Sequence, residues 1–217
     1  MHKIFMVFTT ALALAACSTL GEPSAVPGGI ARSATHNTRP ATSAYCPANP
    51  SGTGILPDGD FSQAIVPNGD QLEKKGQKFA PDWTVKKRNI DFLSSSYWDM
   101  DGLCSVDIDG YFKTGSIETY AFTTQKKATY TVAFLMSGNG GCGPETKTLK
   151  VSANGHGTTF TWNTASGNDV QDGAYSPESW TFKAKKKATR LEFISKDPAG
   201  SSCGAVIAGI AVNEYSP

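Results

Sequence analysis

Two aspartates, Asp107 and Asp109, are the residues whose type and spacing come nearest to catalytic chemistry. Residues two apart on a β-strand point to the same face, about 7 Å from each other. Inverting glycosidases use carboxylate pairs at about this separation. A solvated strand face, or hydrogen bonding into the following turn at Gly110, explains the same pattern more simply, and contact with a polar ligand is a further alternative. We therefore treat both carboxylates as candidate ligand contacts and keep catalysis as the lesser hypothesis.

Three other side chains are candidates for ligand contact. Tyr97 and Trp98 lie in a polar segment, where exposed aromatic rings could pack against the C–H faces of a sugar. Asn139 lies between glycines, where its amide could be presented from a tight loop, although a turn role is the simpler interpretation. The candidate ligand-binding set is therefore Tyr97, Trp98, Asp107, Asp109 and Asn139.

Other site chemistries find little support in the sequence. Nucleophilic triads need a positioned imidazole, and His156, on a predicted hairpin tip, is the single histidine after residue 45. Zinc sites need several nitrogen or sulfur ligands, and no such cluster occurs. Asp99 and Asp101 resemble the start of a calcium loop, but the later glutamate is missing. We predict no catalytic residue, no metal and no cofactor.

The charge balance argues against a nucleic-acid partner. The 217 residues carry 20 Lys and Arg against 19 Asp and Glu, whereas nucleic-acid-binding proteins usually show a strong basic excess. Small basic clusters occur at residues 86–88, 126–127 and 185–187. We interpret them as solvated turns that protect sheet edges. The alternative is a patch for an anionic lipid or polysaccharide.

Four cysteines follow Cys17 in the chain, namely Cys46, Cys104, Cys142 and Cys203. In an exported protein an even number of cysteines suggests disulfides. Three pairings are possible, and we favour Cys46–Cys104 with Cys142–Cys203. Each would close a loop of about 60 residues and contribute up to ~4 kcal/mol in the chain-entropy model.

The elements that must position these residues are short segments of alternating polarity. In residues 129–136, Tyr130, Val132, Phe134 and Met136 fall on one face, which is typical of a β-strand. Asn154 and Gly155 separate two such segments, a strong hairpin signal. Further strands are expected at residues 82–85, 89–93, 104–109, 116–123, 147–151, 158–162, 180–184, 190–194 and 206–212. The sequence predicts an all-β antiparallel sandwich of the jelly-roll type, with Trp83, Trp162 and Trp180 in its core.

The N-terminus has the pattern of an export signal. Lys3 precedes an apolar run from Ile4 to Ala16 that is too short to span a bilayer, where roughly 20 residues are needed. The sequence Leu14-Ala15-Ala16-Cys17 resembles the bacterial lipobox, in which the cysteine is lipidated and becomes the new N-terminus. Several acyl chains make a stable anchor, and Ser18 favours the outer membrane.

The chain therefore divides into three predicted parts. Residues 1–16 form a lipoprotein signal peptide, and residues 17–45 form the lipidated cysteine and a flexible tether poor in large apolar residues. Residues 46–217 form the folded domain. We expect a cell-envelope protein held to the membrane through Cys17, either in the periplasm or on the cell surface.

A series of motifs in the folded part resembles a known family. Asp58-Gly59-Asp60-Phe61 is similar to the opening of the choice-of-anchor C domains, which are related to the plant cell-wall family of domain of unknown function 642. Trp83-Thr84-Val85, residues 105–110, Lys147–Val151 and Cys203-Gly204 resemble later motifs of that family in the same order.

The resemblance implies a galactose-binding-domain-like jelly roll linked to cell-surface or extracellular polysaccharide. Ser62 and Ala208 stand where the family has acidic residues, so we do not expect a structural calcium there. We predict a non-catalytic, carbohydrate-binding envelope lipoprotein. The alternatives are a structural or adhesion module that contacts protein and, less favoured, a glycosidase that uses Asp107 and Asp109.

Overall fold

The computed structural model describes residues 45–67 and 69–215. The predicted signal peptide, the lipidation of Cys17 and the tether up to residue 44 lie outside these residues. No helix within the described ranges has the length and apolar character needed to cross a membrane.

The described chain is built of β-strands, with two 3₁₀ turns at Ala165–Gly167 and Val170–Asp172. The strands are β1 (Asp70–Lys74), β2 (Trp83–Lys87), β3 (Asn89–Leu93), β4 (Ser105–Asp107), β5 (Asp109–Gly110), β6 (Lys113–Thr114), β7 (Ser116–Thr119), β8 (Phe122–Thr123), β9 (Thr129–Gly138), β10 (Thr146–Ala153), β11 (His156–Asn163), β12 (Ser176–Lys183), β13 (Ala188–Thr189), β14 (Leu191–Ser195) and β15 (Ala205–Glu214). The all-β prediction is confirmed.

Two antiparallel sheets form a sandwich. One has the strand order β1-β3-β4-β15-β9-β12, and the other has the order β11-β10-β14-β7-β2. The chain passes repeatedly from one sheet to the other, for example from β9 to β10, from β11 to β12 and from β14 to β15. This alternation is the jelly-roll arrangement predicted from the sequence. Strands β11 and β12 are edge strands on the same side of the sandwich.

The core lies between the inner faces of the two sheets. On β9, the predicted alternation is observed, because Tyr130, Val132, Phe134 and Met136 are all buried. The Phe193 ring of β14 packs edge-on against Phe134, with ring centroids 5.6 Å apart. Burying a side chain of this size contributes roughly 1.5–3 kcal/mol.

A second, smaller cluster covers the outer face of the six-stranded sheet. Its buried members are Leu93, Met100, Leu103, Val170, Val206 and Ala208, with Trp98 and Leu135 packed against them. Met100 and Leu103 come from the loop between β3 and β4, and Val170 comes from a 3₁₀ turn. Part of this outer face is therefore closed to solvent, which period-two alternation along a strand does not reveal.

The hairpin and both disulfides agree with the sequence predictions. Asn154 and Gly155 connect β10 to β11 with φ values of 52° and 79°, as a type I′ turn requires. Cys46 is bonded to Cys104, and Cys142 to Cys203, with Cα atoms 5.7 Å and 5.5 Å apart.

Candidate functional site

The predicted carboxylate pair lies inside the protein. Asp107 and Asp109 have no exposed surface. Oδ1 of Asp107 accepts hydrogen bonds from the backbone amides of Asp109 and Gly204, each at 2.9 Å. Oδ2 of Asp107 accepts a hydrogen bond from Nδ2 of Asn139, also at 2.9 Å. Three of the predicted contact residues thus meet, but they form a closed structural network.

This burial corrects the expectation of a solvated strand face. β4 ends at Asp107, and the segment around Gly204 packs so closely that a Cβ atom there would lie 2.8 Å from Oδ1 of Asp107. Because the pair is covered, a ligand cannot contact these carboxylates in this conformation. The glycosidase hypothesis, which assigned catalysis to the Asp107 and Asp109 carboxylates, finds neither of them exposed.

Two further charged groups complete this polar cluster. The Lys147 ammonium is buried and donates to the carbonyl oxygens of Cys142 at 2.7 Å and Cys203 at 2.8 Å. Asp197 accepts a hydrogen bond from the Thr148 amide at 2.6 Å. Neither residue was a sequence candidate. Lys147 occupies an inward position of an alternating strand, where an apolar residue is expected, so it looks like an exception to the alternation.

Burial governs the protonation of this cluster. It raises the pKa of Asp107 well above the ordinary value, and the hydrogen bond from Asn139 offsets part of the rise. Burial also raises the pKa of Asp109, and the nearby hydroxyls of Ser195 and Ser201 offset part of the rise. Neither carboxylate oxygen of Asp109 has a partner at hydrogen-bond geometry among the described residues. Burial raises the pKa of Asp197 to about 7 and lowers that of Lys147, which the nearby Asp197 charge partly opposes.

The predicted aromatic residues form a separate surface. The Tyr97 and Trp98 rings lie 5.3 Å apart, and 49% of the Tyr97 side chain is exposed. Trp98 is half-buried against the outer cluster that covers the six-stranded sheet. Among the described residues, no hydrogen bond or ring contact joins this pair to Asp107, Asp109 or Asn139.

Acidic residues of the opening family motif and of the segment that resembles a calcium loop hold backbone amides. Oδ1 of Asp58 accepts from the Gln63 amide at 2.8 Å, and Oδ2 of Asp60 accepts from Asn49 at 2.7 Å. Oδ1 of Asp99 accepts from Gly102 at 2.6 Å. Within the described ranges, no group of three or more His, Cys, Asp or Glu side chains has an arrangement that could hold a metal ion.

One concave surface of the sandwich was not predicted as a site. A groove of about 610 Å³ lies between the edge strands β11 and β12. Trp180 and Phe182 contribute its aromatic side chains, with ring centroids 5.7 Å apart. Trp180 is half-buried, so the expectation of a core role holds for only part of its surface. The other residues that line the groove are Lys126, Lys127, His156, Gly157, Thr181, Lys183, Ala184 and Lys185.

Backbone hydrogen bonds hold the two lysine-bearing turns beside this groove together. The amide of Lys127 donates to the carbonyl of Ala184 at 2.8 Å, and the amide of Ala184 donates to Ala128 at 2.9 Å. The amide of Thr124 donates to the carbonyl of Lys187 at 3.0 Å. Two basic clusters that lie about sixty residues apart in the sequence are thereby fixed side by side.

Another aromatic pair also escaped the sequence analysis. Tyr111 and Phe112 occupy the turn between β5 and β6, with ring centroids 4.3 Å apart and exposed fractions of 68% and 60%. Phe112 has a φ of 52°, which is uncommon for a bulky residue. Its amide donates to the hydroxyl of Ser202 at 2.7 Å. This pair is a second exposed aromatic surface, at a different turn from Tyr97 and Trp98.

The family comparison matches most of the folded part. The model of the family described as "Protein of unknown function (DUF642)" matches residues 54–213. The chain belongs to the DUF642 family. The resemblance noted in the sequence motifs is thereby confirmed, and the DUF642 match includes every residue of the groove. A comparison with curated proteins finds no match.

Several solved structures are similar to this DUF642 protein. A CBM4 structure is 11% identical, with a TM-score of 0.42, over 74% of this chain and 99% of the other. A CBM35 from Paenibacillus barcinonensis is 16% identical, with a TM-score of 0.38, over 67% and 93%. A family 35 carbohydrate binding module from Clostridium thermocellum is 12% identical, with a TM-score of 0.40, over 64% and 98%. At these TM-scores the likeness assigns no ligand, and the architecture stands on the strand order described above.

Proposed function

We propose that the β-sandwich of this DUF642 protein binds carbohydrate in the groove between β11 and β12. The observation that carries the proposal is the half-buried Trp180 ring in an open groove whose rim supplies hydrogen-bond donors. An aromatic ring offers an apolar face to the C–H surface of a sugar. The lysine ammonium groups and His156 offer donors to its hydroxyl oxygens.

The groove also has the general character of a binding cleft. Ligand sites combine an apolar floor with a few polar groups and have volumes of about 300–1,000 Å³. The ring of Trp180 packs beside Phe182, and Phe182 stacks on Tyr130 with centroids 5.6 Å apart. This packing fixes the Trp180 ring before a ligand arrives, which reduces the entropy lost on binding.

The test compares aromatic truncations at the three aromatic surfaces. Purified Trp180→Ala, Tyr97→Ala and Phe112→Ala variants are measured against a panel of soluble polysaccharides by affinity electrophoresis and isothermal titration calorimetry. We expect Trp180→Ala to weaken binding at least about tenfold, as loss of a central aromatic contact does, and the other two to bind normally.

Two controls keep this test decisive. Thermal unfolding of each variant shows whether the fold survives, and normal binding by Tyr97→Ala and Phe112→Ala shows that the loss is confined to the groove. Normal binding by folded Trp180→Ala, or loss of binding in Tyr97→Ala, would place the site outside the groove. Failure of the unaltered domain to bind any polysaccharide would reject the carbohydrate function and favour the protein-interaction alternative.

We further propose that the domain is anchored in the bacterial envelope, in the outer membrane, through a lipid on Cys17. The support is the match of Leu14-Ala15-Ala16-Cys17 to the lipobox, followed by Ser18. Expression of the full chain in a Gram-negative host, with labelled palmitate and membrane fractionation, tests this anchoring. Label in the protein that disappears in Cys17→Ala is expected, whereas an unlabelled full-length chain would contradict it.

A further inference from the structure

We infer that the groove selects an acidic polysaccharide, a polymer whose sugars carry carboxylate or sulfate groups. This inference rests on the carbohydrate-binding proposal and adds the class of ligand. Its basis is the charge of the groove rather than its shape. Four lysines line the groove, and no aspartate or glutamate does so. The lysines are Lys126, Lys127, Lys183 and Lys185.

These cations are not neutralised within the described part of the protein. The ion pairs there join Lys86 and Arg190 to Glu118, and Lys86 to Glu192. None of the four groove lysines lies within 4.0 Å of a described carboxylate oxygen. The protein as a whole carries a formal charge of only +1. The positive charge is therefore concentrated in a few basic clusters, one of which lines this groove, where it would favour an anionic ligand.

The two lysine-bearing turns are also fixed before binding. The amide of Lys127 donates to the carbonyl of Ala184, and the amide of Ala184 donates to that of Ala128. These backbone bonds set the two turns beside one groove, so the lysines start from a fixed backbone.

The arrangement favours a polymer over a single sugar or a membrane surface. The Cα atoms of Trp180 and Lys183 lie about 10 Å apart along β12, and the two side chains point to opposite faces of this edge strand. A ligand that contacts both therefore extends beyond one sugar ring. A membrane would contact protruding side chains, whereas Trp180 is half-buried between two edge strands. Acidic polysaccharide is thus the favoured occupant, and anionic lipid becomes an outcome of the test.

The experiment uses polymers that share a backbone and differ in charge. Binding of the domain is compared between dextran sulfate and dextran, and between carboxymethyl cellulose and hydroxyethyl cellulose. We expect tighter binding of the charged member of each pair. We also expect that binding to weaken as NaCl rises from about 0.01 M to about 1 M, because the Debye length falls from about 30 Å to about 3 Å.

A matched pair of variants assigns the effect to the groove. One variant replaces Lys126, Lys183 and Lys185 with glutamine. The control makes the same change in charge at another basic surface, at Lys74, Lys75 and Lys113. We expect the groove variant to bind the charged polymers about tenfold more weakly, since exposed ion pairs contribute up to about 1 kcal/mol each, and the control to bind within about twofold of the original protein.

The possible failures are distinguishable. Equal, salt-independent binding of charged and neutral polymers that is lost in Trp180→Ala would overturn the inference and leave the proposed function intact. Equal weakening by both triple variants would also overturn it, because the charge effect would then be non-specific. Binding to anionic phospholipid vesicles but to none of the four polymers would overturn the inference and the proposed function together.

Discussion

The buried carboxylates make the stability of this DUF642 protein depend on pH in an uncommon direction. Asp197 has a pKa of about 7 in the folded protein against an ordinary value of 3.8. The folded state therefore binds a proton that the unfolded chain releases. Stability from this group is fully present below about pH 4 and is lost as the pH rises through 7. Asp197 interacts with Asp109, so the loss between about pH 5 and about pH 8, on the order of 3 kcal/mol, belongs to the two carboxyl groups together.

Other groups act in the same direction. Burial raises the pKa of Asp91 to about 7, and the charge of Asp70 adds to this effect. Asp91 is only half-buried, so solvent reduces its contribution. Burial also raises the pKa of Asp58, to about 6. The free energy of unfolding should thus decline across neutral pH, whereas many proteins reach their maximum between about pH 5 and 8.

Urea unfolding followed by tryptophan fluorescence, at several pH values from about 5 to about 8, measures the slope of the free energy of unfolding against pH. Asp197→Asn should flatten it, because an asparagine carbonyl still accepts the Thr148 amide but does not titrate. Asp101→Asn, at an exposed residue with a φ of 59° that asparagine tolerates, is the control. A free energy of unfolding that stays constant or increases toward pH 8 would show that these carboxyl groups are solvated, which would refute the burial argument.

Three further predictions follow from the polar cluster and the loops around it. Asn139→Ala should lower the free energy of unfolding by about 1–3 kcal/mol, because Oδ2 of Asp107 loses its partner; an unchanged urea midpoint would contradict this. Gly204→Ala should also destabilise the protein, since its Cβ would lie 2.8 Å from Oδ1 of Asp107, and a thermal midpoint equal to that of the original protein would show that the segment can shift. Replacement of Cys142 and Cys203 by serine should lower the free energy of unfolding, measured by calorimetry, by about 2–5 kcal/mol, because the bond closes a loop of 61 residues. A negligible change would contradict this prediction.

The strands were predictable wherever one face packs against the core. The expected strand at residues 89–93 coincides with β3, and that at residues 129–136 lies within β9. β1 was missed because Asp70, Gln71, Leu72 and Lys74 are all exposed and only Glu73 is buried. An edge strand of this kind is held by its backbone hydrogen bonds to β3 and has no apolar period to detect.

The candidate site was harder to predict, because its parts come from distant segments. The period-two alternation correctly predicts that the side chains of Asp107 and Val106 point to opposite faces of the strand. However, whether the Asp107 carboxylate is solvated or covered depends on the segments that carry Asn139 and Gly204, which are distant in sequence. The groove needs both the pairing of β12 with β9 and the bonds between two lysine turns. The sequence analysis interpreted the basic clusters as solvated turns, with a patch for an anionic lipid or polysaccharide as the alternative, and their convergence could not be read from the sequence.

The disulfide between Cys46 and Cys104 has a consequence for mechanical load. It joins the first part of the described chain to the residue before β4, which lies inside the six-stranded sheet. Tension that arrives along the chain before Cys46 therefore crosses the bond directly to β4. The covalent path through the intervening residues, which contain β1, β2 and β3, is bypassed while the bond is intact. Under flow, a domain pulled from this side would resist peeling of its edge strand until the bond is reduced.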